Sequence, residues 1–201
     1  MVKILIILAL VAMLIFSIVR KLKLLGNSVY STSIAQSSDV IEIKAPLSLY
    51  KSLVQKTLVT VVIGIALLLA TIILASKFKI ALLMLPISLY LIAQFFILNN
   101  HIKIARDQRL FYHVKNNELE VYYDNDNKYK INLLNDTKLI VEVKSVQRNN
   151  GVLFGYYKLV TSSNQSVYIP YILRENQQTM PFFDKLELFE REIETKLFPI
   201  I

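Results

Sequence analysis

The chain has 201 residues, 54% of them hydrophobic, a formal charge of +8 and no cysteine. Its mean hydropathy of +0.46 is high for a soluble globule, so a small domain combined with membrane spans accounts better for the length. The missing cysteines exclude disulfides, thiolate nucleophiles and zinc–thiolate sites, but favour neither redox compartment.

The first apolar run, residues 4–19, holds no charge between Lys3 and Arg20. It is short for a bilayer of about 30 Å, although the flanking Lys and Arg can snorkel. No small-residue cleavage site closes it, and Arg20, Lys21 and Lys23 follow at once. An uncleaved anchor over residues 1–20 is therefore expected, with a cleaved signal peptide as the alternative. Residues 21–56 read as a cytoplasmic linker. Within it, residues 27–38 are rich in Ser, Asn and Thr, and Val40, Ile41, Glu42 and Ile43 suggest a short strand before Pro46. Such a strand needs an edge to pair with, and the domain that follows can offer one.

Residues 57–76 and 80–100 are two further uncharged runs of membrane-crossing length, separated by Lys77, Phe78 and Lys79. They predict a tight antiparallel hairpin over residues 57–100. Pro86 is placed to kink the third helix without breaking it. Gly64, Ala66 and Ala70 suggest a small-residue packing seam. No ionisable residue lies inside a span, and Gln94 is the most polar side chain there, which argues against an autonomous transporter or channel. The basic residues Arg20, Lys21, Lys23, Lys44, Lys51, Lys56, Lys103, Arg106 and Arg109 outnumber Lys3, Lys77 and Lys79 on the other side. A multi-pass membrane protein follows, with its C-terminal domain in the cytoplasm. Charge so distributed belongs to lipid headgroups rather than to nucleic acid.

From Arg109 the period changes to two. Leu110, Tyr112 and Val114, then Leu119, Val121 and Tyr123, then Tyr129, Ile131 and Leu133, then Leu139, Val141 and Val143 alternate with polar neighbours, among them Glu142 and Lys144. Turns are expected over residues 124–127, at Asn150-Gly151 and over residues 163–165. These strands make an antiparallel meander that curls to bury one face. Phe182, Leu186, Phe189, Ile193 and Leu197 then recur at helical intervals. Glu187 with Arg191 and Glu192 with Lys196 stand four apart, predicting one amphipathic helix capping the sheet.

The hairpin, the strands, the final helix and the stretches Tyr129-Lys130-Ile131-Asn132-Leu133, Asn150-Gly151 and Tyr168-Ile169-Pro170 resemble the bacterial membrane-anchored PH-like domain proteins over roughly residues 53–197. Behind the three transmembrane helices expected from the apolar runs, the resemblance implies a PH-like split barrel over residues 101–201 plugged by one helix, at a bacterial inner membrane. It also implies roles in assembly or membrane-associated binding. The first strand turn, Lys115-Asn116-Asn117-Glu118, lacks a basic phosphoinositide signature.

Residues suited to catalysis are sparse. His101 and His113 have no metal-ligand spacing, and four glycines leave little room for a phosphate loop. Glu118, Glu120, Asp124 and Asp126 fall on solvent-facing or turn positions. No catalytic, cofactor-binding or metal site is expected, and no small-molecule ligand. The domain tyrosines Tyr112, Tyr122, Tyr123, Tyr129, Tyr156, Tyr157, Tyr168 and Tyr171 should divide between core and a partner surface. The expected function is a non-catalytic interaction module bound to the bilayer and to a protein partner or a second copy. The alternative is an accessory subunit of a larger transport or secretion complex, held through its spans.

Overall fold

Two long apolar helices interrupt a β domain between its first two strands. The computed structural model describes residues 39–123, 128–146 and 154–201, together with Ala12, Phe16 and Arg20, which are helical. Residues 1–35 and 36–201 form separate compact units. The expected first span (residues 4–19), the linker (residues 27–38) and the turns over 124–127 and at 150–151 therefore lie largely or wholly outside the described residues.

In the larger unit, β1 (Val40–Ile43) leads into α1 (Leu47–Ala75). A 3-10 segment, Lys79–Met84, then opens the return helix α2 (Leu85–Asp107), which runs directly into β2 (Gln108–His113). β1 pairs antiparallel with β2, Ile43 opposite Leu110, so the two ends of the hairpin are tied together by a strand pair. Both helices are long and apolar enough to cross a membrane, with mean hydropathies of 3.0 and 2.3 over their most apolar stretches.

The hairpin turns at Ser76, where the Lys77 and Phe78 amides both donate to the Leu74 carbonyl, at 3.0 and 2.7 Å. Pro86 falls in the first turn of α2, where a missing N–H breaks no helical bond. Leu53, Thr57, Val61, Gly64 and Thr71 make the buried stripe of α1. Gly64 meets α2 directly: a Cβ there would lie 2.8 Å from the Leu91 Cβ. Ala66 and Ala70 face outward instead, because two and six residues from Gly64 are the wrong angular steps for its face. Thr71 and Ser88 donate their hydroxyls to carbonyls of their own helices, Leu67 and Leu85, which spares these buried groups an apolar environment without a partner.

After β2 come β3 (Glu118–Tyr123), β4 (Lys128–Asn132), β5 (Thr137–Ser145), β6 (Gly155–Thr161) and β7 (Ser166–Pro170), close to the expected strands. They do not form one curled sheet. Two four-stranded sheets result, ordered β1-β2-β3-β4 and β7-β6-β5-β8, the last strand being β8 (Glu192–Lys196). The division falls between β4 and β5. There the Asn132 side chain accepts the Leu134 amide at 3.0 Å and the Asp136 carboxylate accepts the Asn132 amide at 2.8 Å. The Leu133 amide donates to the Asn117 carbonyl in the β2–β3 turn, while the Ser162 amide in the β6–β7 turn donates to the Asp136 carbonyl. The chain thus turns a corner rather than making a hairpin. Leu110, Tyr112, Leu119, Val121 and Ile131 of the first sheet share one core with Ile140, Tyr157, Leu159, Val167 and Ile169 of the second.

The C-terminal segment departs most from expectation. α3 covers only Met180–Glu187, and Glu192–Lys196 is a strand, β8, parallel to β5. Phe182, Phe183 and Leu186 from α3 are fully buried in the common core. Ile193 and Leu197 are more than half exposed, so they do not continue that buried helix face. The helical pairs expected of this segment are absent: Glu187 pairs with Arg174, Arg191 with Glu142, and Lys196 with Glu194. An architecture of three transmembrane helices before a PH-like barrel with a single capping helix is thereby corrected. The described residues hold three helices, two of them apolar enough to cross a membrane, and two separate sheets.

Candidate functional site

Glu142 is the most deeply buried carboxylate among the described residues, only 1% exposed. Ile140, Glu142 and Lys144 stand opposite Leu159, Tyr157 and Gly155 on β6. Glu142 therefore shares the core-facing row with Ile140 and Tyr157. Val141 and Val143, expected to face the main core, turn to the other side and pack with Tyr156 and Ile201. The reversal is possible because β5 is covered on both faces, which alternation of Val with Glu and Lys does not announce.

Around Glu142, the Tyr171 hydroxyl donates to Oε1 and Lys144 Nζ stands 3.2 Å from the same oxygen. Arg191 Nε lies 2.8 Å from Oε2. That contact is an ion pair without hydrogen-bond alignment, since Oε2 and Arg191 Nη1 are both buried without a hydrogen-bond partner. Burial pushes the Glu142 carboxyl up, but the Tyr171 and Lys144 bonds and the two cations outweigh it and hold it below the usual range. Tyr171 is raised by its own burial and then by the carboxylate. Tyr157, its ring 5.1 Å from that of Tyr171, is pushed up to about 12 by burial first and by Glu142 second. Arg174 donates to the Tyr157 hydroxyl at 3.2 Å and pairs with Glu187 of α3.

Chemically this cluster is closed. Its carboxylate is ionised and engaged by cations, and its tyrosines hold their protons. It joins β5, β6, the 3-10 segment Tyr171–Glu175, α3 and the entry to β8. Gly155 leaves the space that Tyr171 needs: a Cβ there would sit 2.5 Å from the Val143 carbonyl oxygen and 2.8 Å from Tyr171 Cε2. Gly155→Ala is expected to destabilise the domain by about 1–3 kcal/mol, read as a lower midpoint of the tyrosine near-UV dichroism in denaturant.

A second ionic group lies on the outer face of the first sheet. Glu120, 8% exposed, stands 3.0 Å from Lys130, 3.2 Å from Lys128 and 3.4 Å from His113, and accepts from Tyr122 at 2.8 Å. Burial raises its pKa, and hydrogen bonds from Lys130, Tyr122 and Lys128 overcome that and bring it to about 2. Glu120, expected to be solvated, is thus covered by longer neighbours, whereas Glu118 keeps partial exposure; Asp124 and Asp126 lie outside the described residues. No group of His, Asp and Glu suited to a metal ion occurs among the described residues. His101 is buried at the end of α2 with Nε2 2.7 Å from the Pro199 carbonyl oxygen.

The tyrosines form no open surface. Tyr112, Tyr156, Tyr157 and Tyr171 are buried, and Tyr122, Tyr123, Tyr129 and Tyr168 are half-buried. The second group packs edge-on against Phe111, each other or Tyr156. The exposed structure lies elsewhere, in β8, all five of whose residues are exposed. Its inner edge is set by the pairing of Lys196 with Ser145, and Val146 donates to the Lys196 carbonyl at 3.2 Å. Glu192, Glu194 and Lys196 therefore spend their backbone groups on β5, and Ile193 and Thr195 direct theirs outward. Among the described residues β8 ends the sheet order, which leaves this edge open to an added strand. The sequence hid this edge because the same residues fit a helical period.

No family model matches the chain, and no curated protein or solved structure shows significant similarity to it.

Proposed function

We propose that this chain is a multi-pass, membrane-anchored, non-catalytic interaction module whose β domain stands at the cytoplasmic face and takes up an extended partner segment along β8. The open, fully exposed outer edge of β8 carries this reading. Strand addition supplies affinity through main-chain hydrogen bonds, and side chains on alternate positions supply selectivity. Here those positions are Ile193 on one face and Glu194 and Lys196 on the other. The anchoring half is supported by the two apolar helices and by the β1–β2 pair that ties their base to the domain. The cytoplasmic placement is supported by Lys51, Lys56, Lys103, Arg106 and Arg109 near that base, against Lys77 and Lys79 at the tip. The ionised, cation-engaged states of Glu142 and Glu120 suit scaffolding better than proton transfer.

Thr195→Pro tests the proposal. It removes an outward N–H from an edge strand without touching the ladder to β5. Co-purification from native membranes in mild detergent, read by mass spectrometry, should recover a partner with the wild-type chain and lose at least about tenfold of it with the variant. Equal recovery from both chains would sink strand addition. Loss instead with Ala70→Leu, on the outward face of α1, would assign the contact to the spans, as in an accessory subunit.

A further inference from the structure

Beyond β8 the chain reads Leu197-Phe198-Pro199-Ile200-Ile201, with no polar side chain. This tail lies against α2, not against the shared core. The Phe198 ring sits 5.7 Å from that of Tyr90. Pro199 offers its carbonyl oxygen to His101 at 2.7 Å. Asn100 and Ile201 exchange two hydrogen bonds: the Ile201 amide donates to Oδ1 at 2.9 Å, and Nδ2 donates to the Ile201 carbonyl at 3.2 Å. Asn99, Asn100 and His101 mark the polar end of the apolar stretch. Tyr90 is about 15 Å of helix rise closer to the hairpin tip than Asn100. Near it on α2, Ile87 and Leu89 are exposed apolar residues of the spanning segment.

Leu197, Phe198 and Ile200 remain 51%, 39% and 57% exposed, although they flank a backbone held firmly to α2. Through the Phe198–Tyr90 ring contact their apolar surface meets that of the helix. Several of the tail's backbone groups are already satisfied. Ile200 donates to Phe198 at 2.9 Å, proline has no N–H, and Asn100 and His101 take up Ile201 and Pro199. A segment with its polar backbone so engaged can enter a low-dielectric layer at small cost, and Lys103, exposed one turn beyond Asn99, is at the right level for lipid phosphates.

We infer that residues 197–201 form a second membrane contact beside α2, with Leu197 and Ile200 seated at the headgroup–acyl boundary and the Phe198 ring reaching past it toward Tyr90. The occupant of this apolar surface is the lipid of the membrane that the hairpin crosses, so the inference rests on the membrane reading proposed above. The tail thereby fixes β8, and the edge it offers, at a set height and orientation over the bilayer.

The absence of cysteine from the chain allows a direct test with single-cysteine variants of the full chain. Leu197→Cys, Ile200→Cys, Ile73→Cys and Ser163→Cys are each labelled with an environment-sensitive fluorophore and reconstituted into vesicles of zwitterionic and anionic phospholipid. Ile73, on the exposed side of α1, reports the span, and Ser163, in the β6–β7 turn, reports water. The expected result is a several-fold gain in emission at Leu197 and Ile200 over Ser163, quenched most by lipids with a nitroxide near the headgroup. Ile73 should be quenched most by lipids labelled deeper in the chain. If Ile73 reads lipid while Leu197 and Ile200 match Ser163, the tail contact is overturned and the membrane reading stands. If Ile73 also matches Ser163, both are overturned.

Discussion

Glu142→Gln is expected to destabilise the domain by about 1–3 kcal/mol, because a buried carboxylate gives up its charge-assisted contacts while the cations Lys144 and Arg191 stay partly exposed. The neutral amide keeps the volume and one acceptor for Tyr171, but it removes the charge that Lys144 and Arg191 approach at 3.2 and 2.8 Å. Arg191 immediately precedes β8, so amides of β8 should exchange faster with solvent, beyond the global loss. Arg191→Met should free β8 with a smaller global effect, because Lys144 and Tyr171 still serve the carboxylate.

The same group makes stability depend on acid. The folded pKa of Glu142 is depressed, so its contribution is fully present above the unfolded value near 4.5 and is lost as pH falls through the folded value. Glu120 acts in the same sense, across a window from 4.5 down to about 2. Its partners Lys128 and Lys130 are about half exposed, so solvent screening makes the smaller contribution there. Denaturant midpoints of the wild type should therefore fall steadily below pH 4.5, and those of Glu142→Gln should fall less. Equal slopes in the two proteins would show that Glu142 is not held ionised by its neighbours.

Gly64→Leu should be the most disruptive single change in the hairpin. Its Cβ alone would come within 2.8 Å of Leu91 Cβ and 3.1 Å of the Ile92 backbone nitrogen. Side chains can turn away, but a backbone nitrogen in mid-helix cannot, so α1 and α2 must separate. A cost of about 1–3 kcal/mol is expected, seen as loss of helical dichroism at a lower fraction of denaturing detergent in mixed micelles. Ala70→Leu, on the exposed face, should stay within about 0.5 kcal/mol of the wild type. If both variants behave alike, the small-residue seam at Gly64 does not hold the hairpin.

The hairpin and the strands from β2 to β7 were legible because each depends on local pattern. Uncharged runs bounded by lysines require an apolar surrounding, and alternation at Leu110, Tyr112, Leu119 and Val121 requires a pleated face. The pairing of β1 with the domain was legible for a related reason, since an isolated strand needs an edge. Two features had no local signature. The corner at Asn132–Asp136, which makes two sheets of one meander, rests on side-chain bonds to the backbone. The inward direction of Glu142 depends on Tyr171, Lys144 and Arg191 arriving from elsewhere in the chain.

The fate of residues 188–197 was decided by tertiary structure alone. Phe189, Ile193 and Leu197 satisfy a helical period, while Glu192, Ile193, Glu194, Thr195 and Lys196 satisfy a strand period equally well. Sequence by itself determined that this segment is amphipathic. The strand is where this segment meets β5, whose edge offers backbone groups for pairing, with the Arg191–Glu142 ion pair just ahead of it. Hydrogen-bonding demand from a distant strand is a property of the assembled sheet, and no window of residues records it.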